Sequence, residues 1–171
     1  MDFDDQDALQ RQASRVLELA RRQGLMIATA ESCTGGLIAG MLTEIAGSSD
    51  VVERGFVTYS NLAKQEMLGV PASLIERVGA VSEEVARAMA DGAIRHSAAG
   101  LAVSVTGIAG PGGGSAEKPV GLVHFATARR GAETLHHVEK FGDIGRRMVR
   151  LRTVAVALTL LEDALSTTQA P

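Results

Sequence analysis

Residues 102–121, AVSVTGIAGPGGGSAEKPVG, decide how the chain is read. Ala102 to Val105 is a run of small and β-branched residues and reads as a buried strand. Thr106 and Gly107 follow, and then Gly110-Pro111-Gly112-Gly113-Gly114. So glycine-rich a segment is no regular element, because glycine there permits positive φ and close backbone approach. A strand that empties into such a loop is where open α/β sheets place their ligands. The competing reading is a flexible surface loop.

Outward from this loop, helices alternate with strands. Leu9, Ala13, Val16, Leu17 and Ala20 recur at helical spacing and predict a helix over 5–22, closed by Gly24. Leu25 to Ala30 predicts a strand, and Glu31 to Gly36 a polar turn. A second helix then buries Leu37, Ile38, Met41, Leu42 and Ile45. Ser32, Cys33 and Thr34 thus fall between a strand end and a helix start, where free N–H groups suit a phosphate or an oxyanion. Phe56 to Ser60 predicts a second strand, and Asn61 caps a helix over 62–68. A short helical piece spans 71–78, and Ser82 opens a long helix stopped by Gly100. Val120–Arg129 and Ala132–Phe141 predict a hairpin about Gly131. The last helix, 144–165, turns Met148, Leu151, Ala155 and Leu158 inward, and the tail STTQAP frays.

This order predicts one domain over 1–171, with an ordered core of about 5–165, built as a three-layer α/β/α sandwich on a mixed, mostly parallel sheet. The strand ends after residues 30, 60 and 106 then gather on one edge. Hydrophobic residues make up 46% and charged residues 22%, ordinary values for a globular protein. A net charge of −3 gives no general pull toward nucleic acid or an anionic membrane. The lone Cys33 excludes an internal disulfide and fits a reducing, cytoplasmic setting. The acidic start reads as no signal peptide, and the lack of a long apolar run predicts no membrane span.

Among the strand ends, Lys64 carries the most chemistry. With Asn61 as N-cap it stands in the first turn, where the dipole and partial burial disfavour its ammonium form. Such a lysine can act as a base on a serine hydroxyl; the alternative is a solvated surface lysine. Cys33 is either a thiol at a helix start or a small core residue. The glycines of 107–112 have the wrong spacing for a dinucleotide fingerprint, and Lys118 is misplaced for a P-loop. His96, His124, His136 and His137 lack metal-ligand spacing, so neither a metal nor a cofactor is expected.

Four blocks together carry a resemblance. They are Thr29 to Gly36, Gly55 to Asn61 with Lys64, Gly79 to Ser82, and Thr106 to Gly113 with Lys118-Pro119-Val120-Gly121. In this order and over roughly 5–165, the chain resembles the CinA C-terminal domain family. The resemblance implies nicotinamide-nucleotide amidohydrolase activity: nicotinamide mononucleotide and water give nicotinic acid mononucleotide and ammonia, in pyridine-nucleotide salvage. Some members carry a further molybdopterin-binding-like domain, and this chain is similar to the stand-alone form. The implied machinery is a Ser/Lys amidase without metal. Lys64 fits the base and Thr106 a helper; Tyr59 and Arg146 fit substrate contacts. Ser32 is the first choice of nucleophile. Ser49, in Ala46-Gly47-Ser48-Ser49, is the rival, and whichever is not the nucleophile binds phosphate. The backbone of Thr34, Gly35 and Gly36, and of Gly107, Gly110 and Gly112, would supply the N–H groups that hold substrate. A non-catalytic nucleotide-binding module and a Cys33 amidase are the alternatives. The family also implies a homo-oligomer, for which the face of 144–165 is a candidate interface.

Overall fold

The computed structural model describes residues 3–167. Most of the tail expected to fray, from residue 168 on, lies outside them, as do residues 1 and 2. The elements are α1 (Phe3–Arg22), β1 (Ile27–Glu31), α2 (Leu37–Thr43), a 3-10 turn at Ser48–Asp50, β2 (Val52–Val57), α3 (Asn61–Leu68), α4 (Ala72–Val78), α5 (Glu83–Arg95), β3 (Leu101–Gly107), β4 (Leu122–Arg129), β5 (Leu135–Lys140) and α6 (Arg146–Ser166). The sheet order is β2-β1-β3-β4-β5. Both neighbours of β1 run parallel to it, whereas β4 runs against β3 and β5. Only β4 opposes the rest, so the sheet is mixed and mostly parallel, as the alternation of elements predicts.

Strand alternation divides the core into two layers. Ile27, Leu101, Val103, Val105, Val123 and Phe125 pack with the apolar stripes of α1, α2 and α6. Ala28, Ala30, Ala102 and Phe56 face the other way, toward α3, α4 and α5. Alanines Ala86 and Ala90 of α5 lie on Ala126 and Ala128 of β4, so that helix sits close to the sheet.

The boundaries move for physical reasons. β1 runs one residue further than expected and takes in Glu31, whose buried carboxylate finds partners described below. β2 lies earlier than 56–60, because its polar stretch Glu53-Arg54-Gly55 sits on a sheet edge and hides the strand pattern. The hairpin turn is longer than a tight turn at Gly131, with β5 starting at Leu135. On α6 the buried stripe is Val149, Thr153, Val154, Ala157, Leu158, Leu161 and Leu165. Of the four residues expected inward, Leu158 is buried; Met148, Leu151 and Ala155 are half-buried. Those three line a groove of about 470 Å³ between α6 and α1.

The register pairs Glu31 with Val57 and with Val105. The C-terminal ends of β1, β2 and β3 therefore lie side by side, which is the edge that the site occupies.

Candidate active site

Among the described residues Lys64 is the largest fully buried side chain, with 1% of its surface exposed. Ser60, not Asn61, caps α3: its Oγ accepts from the Ala63 N–H at 3.0 Å. Lys64 is thus one position deeper in the helix than expected, and burial rather than the dipole governs it. Its Nζ donates to the Thr58 carbonyl at 2.8 Å and lies 3.0 Å from Ser32 Oγ. Desolvation lowers the lysine pKa. In its protonated form the amine donates to Ser32 Oγ; on losing a proton it gains a lone pair within reach of that hydroxyl.

On the opposite face of β1 stands a residue that sequence reasoning left in a polar turn. Glu31 is fully buried. Its carboxylate accepts from Thr29 Oγ1 at 3.1 Å, Thr34 Oγ1 at 2.6 Å, and the N–H groups of Gly36, Ile38 and Ala39 at 3.1, 3.0 and 2.9 Å. The start of α2 is therefore neutralised from within the chain. This corrects the expectation for Thr34, Gly35 and Gly36. The Thr34 hydroxyl and the Gly36 N–H are committed to Glu31. Gly35 N–H donates to Ser32 O at 3.0 Å, and the Thr34 carbonyl accepts from Arg150 Nη2 at 2.9 Å. Arg150 Nε also donates to Cys33 O at 3.2 Å, so the turn that presents Ser32 is clamped on both sides.

Thr106 lies on the strand next to Ser32, whose N–H donates to Val105 O at 3.1 Å. The Thr106 hydroxyl donates to the Ala80 carbonyl at 2.8 Å. That bond ties the end of β3 to the 78–82 turn. Tyr59, Arg146 and Gly110 do come together. Arg146 Nη2 donates to Tyr59 Oη at 2.8 Å, and Nη1 to Gly110 O at 3.0 Å. Both side chains are exposed at the mouth of the strand edge. The glycine loop is pinned rather than loose: Ser115 N–H donates to Lys118 O, and Gly121 N–H to Ile108 O, each at 2.8 Å. Gly110 has φ +79°, and a Cβ there would come within 2.7 Å of Val120 Cγ1. Gly107 is required for packing, since its Cβ would meet Val123 Cγ2 at 2.7 Å, whereas Gly112 is open.

Ser49 is not brought to the site. It is exposed in the 3-10 turn before β2, at the opposite edge of the sheet, roughly 20 Å away at ~3.3 Å per strand residue. Cys33 is buried, and burial pushes its thiol up to about 12, which leaves no thiolate for catalysis. His136 and His137 are consecutive in β5 and point to opposite faces. His136 is half-buried, and its Nε2 lies 2.9 Å from His124 Nδ1. Among the described residues no cluster of three His, Cys, Asp or Glu could hold a metal, and no helix is long and apolar enough to cross a membrane. Sequence reasoning missed Glu31, Thr58 and Arg150. The buried Thr58 hydroxyl has no hydrogen-bond partner among the described residues.

A three-layer α/β/α domain with a buried amine and a hydroxyl at the C-terminal strand edge defines the class. The CinA C-terminal domain model matches residues 9–165, and the chain belongs to that family. It is 52% identical over 139 residues to a protein of Enterobacter agglomerans named nicotinamide-nucleotide amidohydrolase PncC, covering 81% of this chain and 84% of that one. It is 51% identical over 159 residues to a CinA-like protein of Synechococcus sp., covering 92% of this chain and 37% of that protein. The chain thus spans about a third of the length of the longer CinA-like relatives it matches. Among solved structures, the competence/damage inducible protein CihA of Agrobacterium tumefaciens is 58% identical, with a TM-score of 0.90 over 93% of this chain and 96% of that one. A competence damage-inducible protein A of Klebsiella pneumoniae is 33% identical, with a TM-score of 0.89 over 94% and 99%.

Proposed function

We propose that the chain is an amidohydrolase that converts nicotinamide mononucleotide to nicotinic acid mononucleotide and ammonia, with Ser32 as nucleophile and Lys64 as base. The observation that carries this reading is the 3.0 Å approach of the buried Lys64 amine to Ser32 Oγ. The named amidohydrolase among its relatives supports the substrate.

In the proposed cycle, Nζ takes the Ser32 proton as Oγ attacks the carboxamide carbon. The resulting ammonium returns that proton to the departing nitrogen, and ammonia leaves with an ester on Ser32. Water then attacks the ester and Lys64 accepts its proton; as the acyl carbon–Oγ bond breaks, Lys64 passes that proton to Ser32 Oγ, and the acid departs with both residues restored. Alternation along β3 turns the Gly107 N–H toward β1 and Ser32, so this amide is our candidate donor to the oxyanion. Arg146, held by Tyr59 and Gly110, is placed to meet the phosphate at the mouth. The distance of Ser49 from the strand edge and the raised Cys33 pKa support Ser32 over these two alternatives. Purified protein incubated with nicotinamide mononucleotide should release ammonia, and Ser32→Ala and Lys64→Ala should not. Ammonia release by a folded Ser32→Ala at the parent rate contradicts the mechanism.

A further inference from the structure

Ser32 stands where the sheet ends. Its N–H bonds Val105 O, but Cys33 and Thr34 lie beyond β1. Gly35 and Gly36 follow with φ of +61° and +99°, conformations that glycine enters freely. Gly35 N–H donates to Ser32 O at 3.0 Å and closes the turn on itself. That bond fixes the shape of the turn, not its tilt against the sheet. Glu31 holds the far end of the turn, through Thr34 Oγ1 and the Gly36 N–H.

The near end is held from α6. Arg150 stands one helical turn beyond Arg146 and directly after Val149, which is fully buried in the core. Nε and Nη2 form one edge of its planar guanidinium. They donate to two consecutive carbonyls, Cys33 O at 3.2 Å and Thr34 O at 2.9 Å. Thr34 O also accepts the Leu37 N–H at 3.4 Å, whereas among the described residues nothing else donates to Cys33 O. A rigid fork on adjacent peptides sets the direction of both, which a single rotatable donor does not.

We propose that Arg150 is a positioning residue, whose guanidinium holds the Ser32–Gly35 turn at the tilt that brings Ser32 Oγ to the Lys64 amine. The assignment rests on Ser32 being the nucleophile. Of the two reacting groups, the amine is fixed without Arg150, because Nζ also donates to Thr58 O at 2.8 Å. The hydroxyl is the partner free to drift. Arg150 acts from the opposite face of the sheet: α6 packs with α1 and α2, and Lys64 belongs to α3 on the other side. Its removal therefore leaves the contacts of the Lys64 amine with Thr58 in place.

Misplacing a reacting group by about 1 Å costs on the order of 100-fold in rate. Arg150→Ala should accordingly lower kcat for ammonia release about 100-fold, with KM within about twofold. Arg150→Lys keeps the charge without the fork and should fall between the two. A second readout needs no substrate: the Lys64 titration midpoint, followed by NMR in the parent, Ser32→Ala, Arg150→Ala and the double variant. Ser32→Ala should move the midpoint in the parent and leave it unmoved in the Arg150→Ala background. The charge lost with Arg150 is common to both members of that second pair, so it cancels. A parent that releases no ammonia from nicotinamide mononucleotide defeats the amidase reading, and the titration cycle still tests Arg150. Should Arg150→Ala not fold, Arg150→Lys enters the same cycle, where the Ser32→Ala shift should shrink. A Ser32→Ala shift of equal size with and without Arg150, a parent whose Lys64 ignores Ser32→Ala, or a folded Arg150→Ala that keeps the parent kcat overturns the proposal.

Discussion

Two buried ionisable groups flank Ser32 on opposite faces of the sheet, and they behave in opposite ways. Glu31, on the α2 side, is surrounded by donors that use its carboxylate oxygens. Lys64, on the α3 side, has a carbonyl, a hydroxyl and, among the described residues, no carboxylate partner. Burial is common to both, so burial alone does not mark a reactive group. Saturation by the chain's own donors makes Glu31 a structural anchor. Its absence around Lys64 leaves an amine with a depressed pKa and a hydroxyl as neighbour.

The sharpest way to break this contrast is to replace each group by a neutral relative. Lys64→Met should lower the rate of ammonia release by about 10³–10⁴-fold, as for loss of a catalytic base. The same variant should melt no earlier than the parent, because it removes an amine that folding desolvates. Glu31→Gln should do the reverse. It faces an NH₂ group against N–H donors, and should lose about 3 kcal/mol in denaturant unfolding. Activity in the fraction that remains folded should change far less than in Lys64→Met.

The pH dependence follows from the Lys64 shift and its sign. The folded pKa is lowered, so the unfolded chain binds the extra proton between that value and the ordinary ~10.4. Stability relative to Lys64→Met should therefore rise with pH across that window. The penalty is complete below the folded pKa and gone above the unfolded one. In the proposed enzyme, kcat/KM should rise through the same lowered pKa as the base loses its proton. Arg146→Ala should raise KM about tenfold with a smaller change in kcat, since Arg146 is placed at the far end of the substrate rather than at the reacting carbon. The smallest effect is expected at Cys33→Ala, where rates should stay within about twofold; a large loss of kcat without unfolding would return the thiol to the mechanism.

The sequence made one member of this pair legible and hid the other. Lys64 follows a strand and a helix cap, so its place at the strand edge can be read from spacing. Tyr59, Arg146 and the glycine loop lie near other element ends, and they do converge. Glu31 looks like a turn residue because its partners are mostly backbone N–H groups of the following helix, which have no residue signature. Ser49 misleads for a related reason. It sits beside a helix end, as Ser32 does, but a parallel strand must be crossed before the chain reaches the site. Thr106 stands at the expected strand end, yet its hydroxyl is taken by a carbonyl from the distant 78–82 turn. The edge strands resist reading too. β2 is broken by charge and glycine, and β5 has few residues that bury well.

The most direct measurement is an NMR titration of Lys64, following its side-chain Cε and Nζ signals in the folded protein. The account predicts a midpoint well below ~10.4, and a shift of that midpoint in Ser32→Ala, where the hydroxyl partner is gone. A midpoint near 10.4 in the intact fold, indifferent to Ser32, would contradict it.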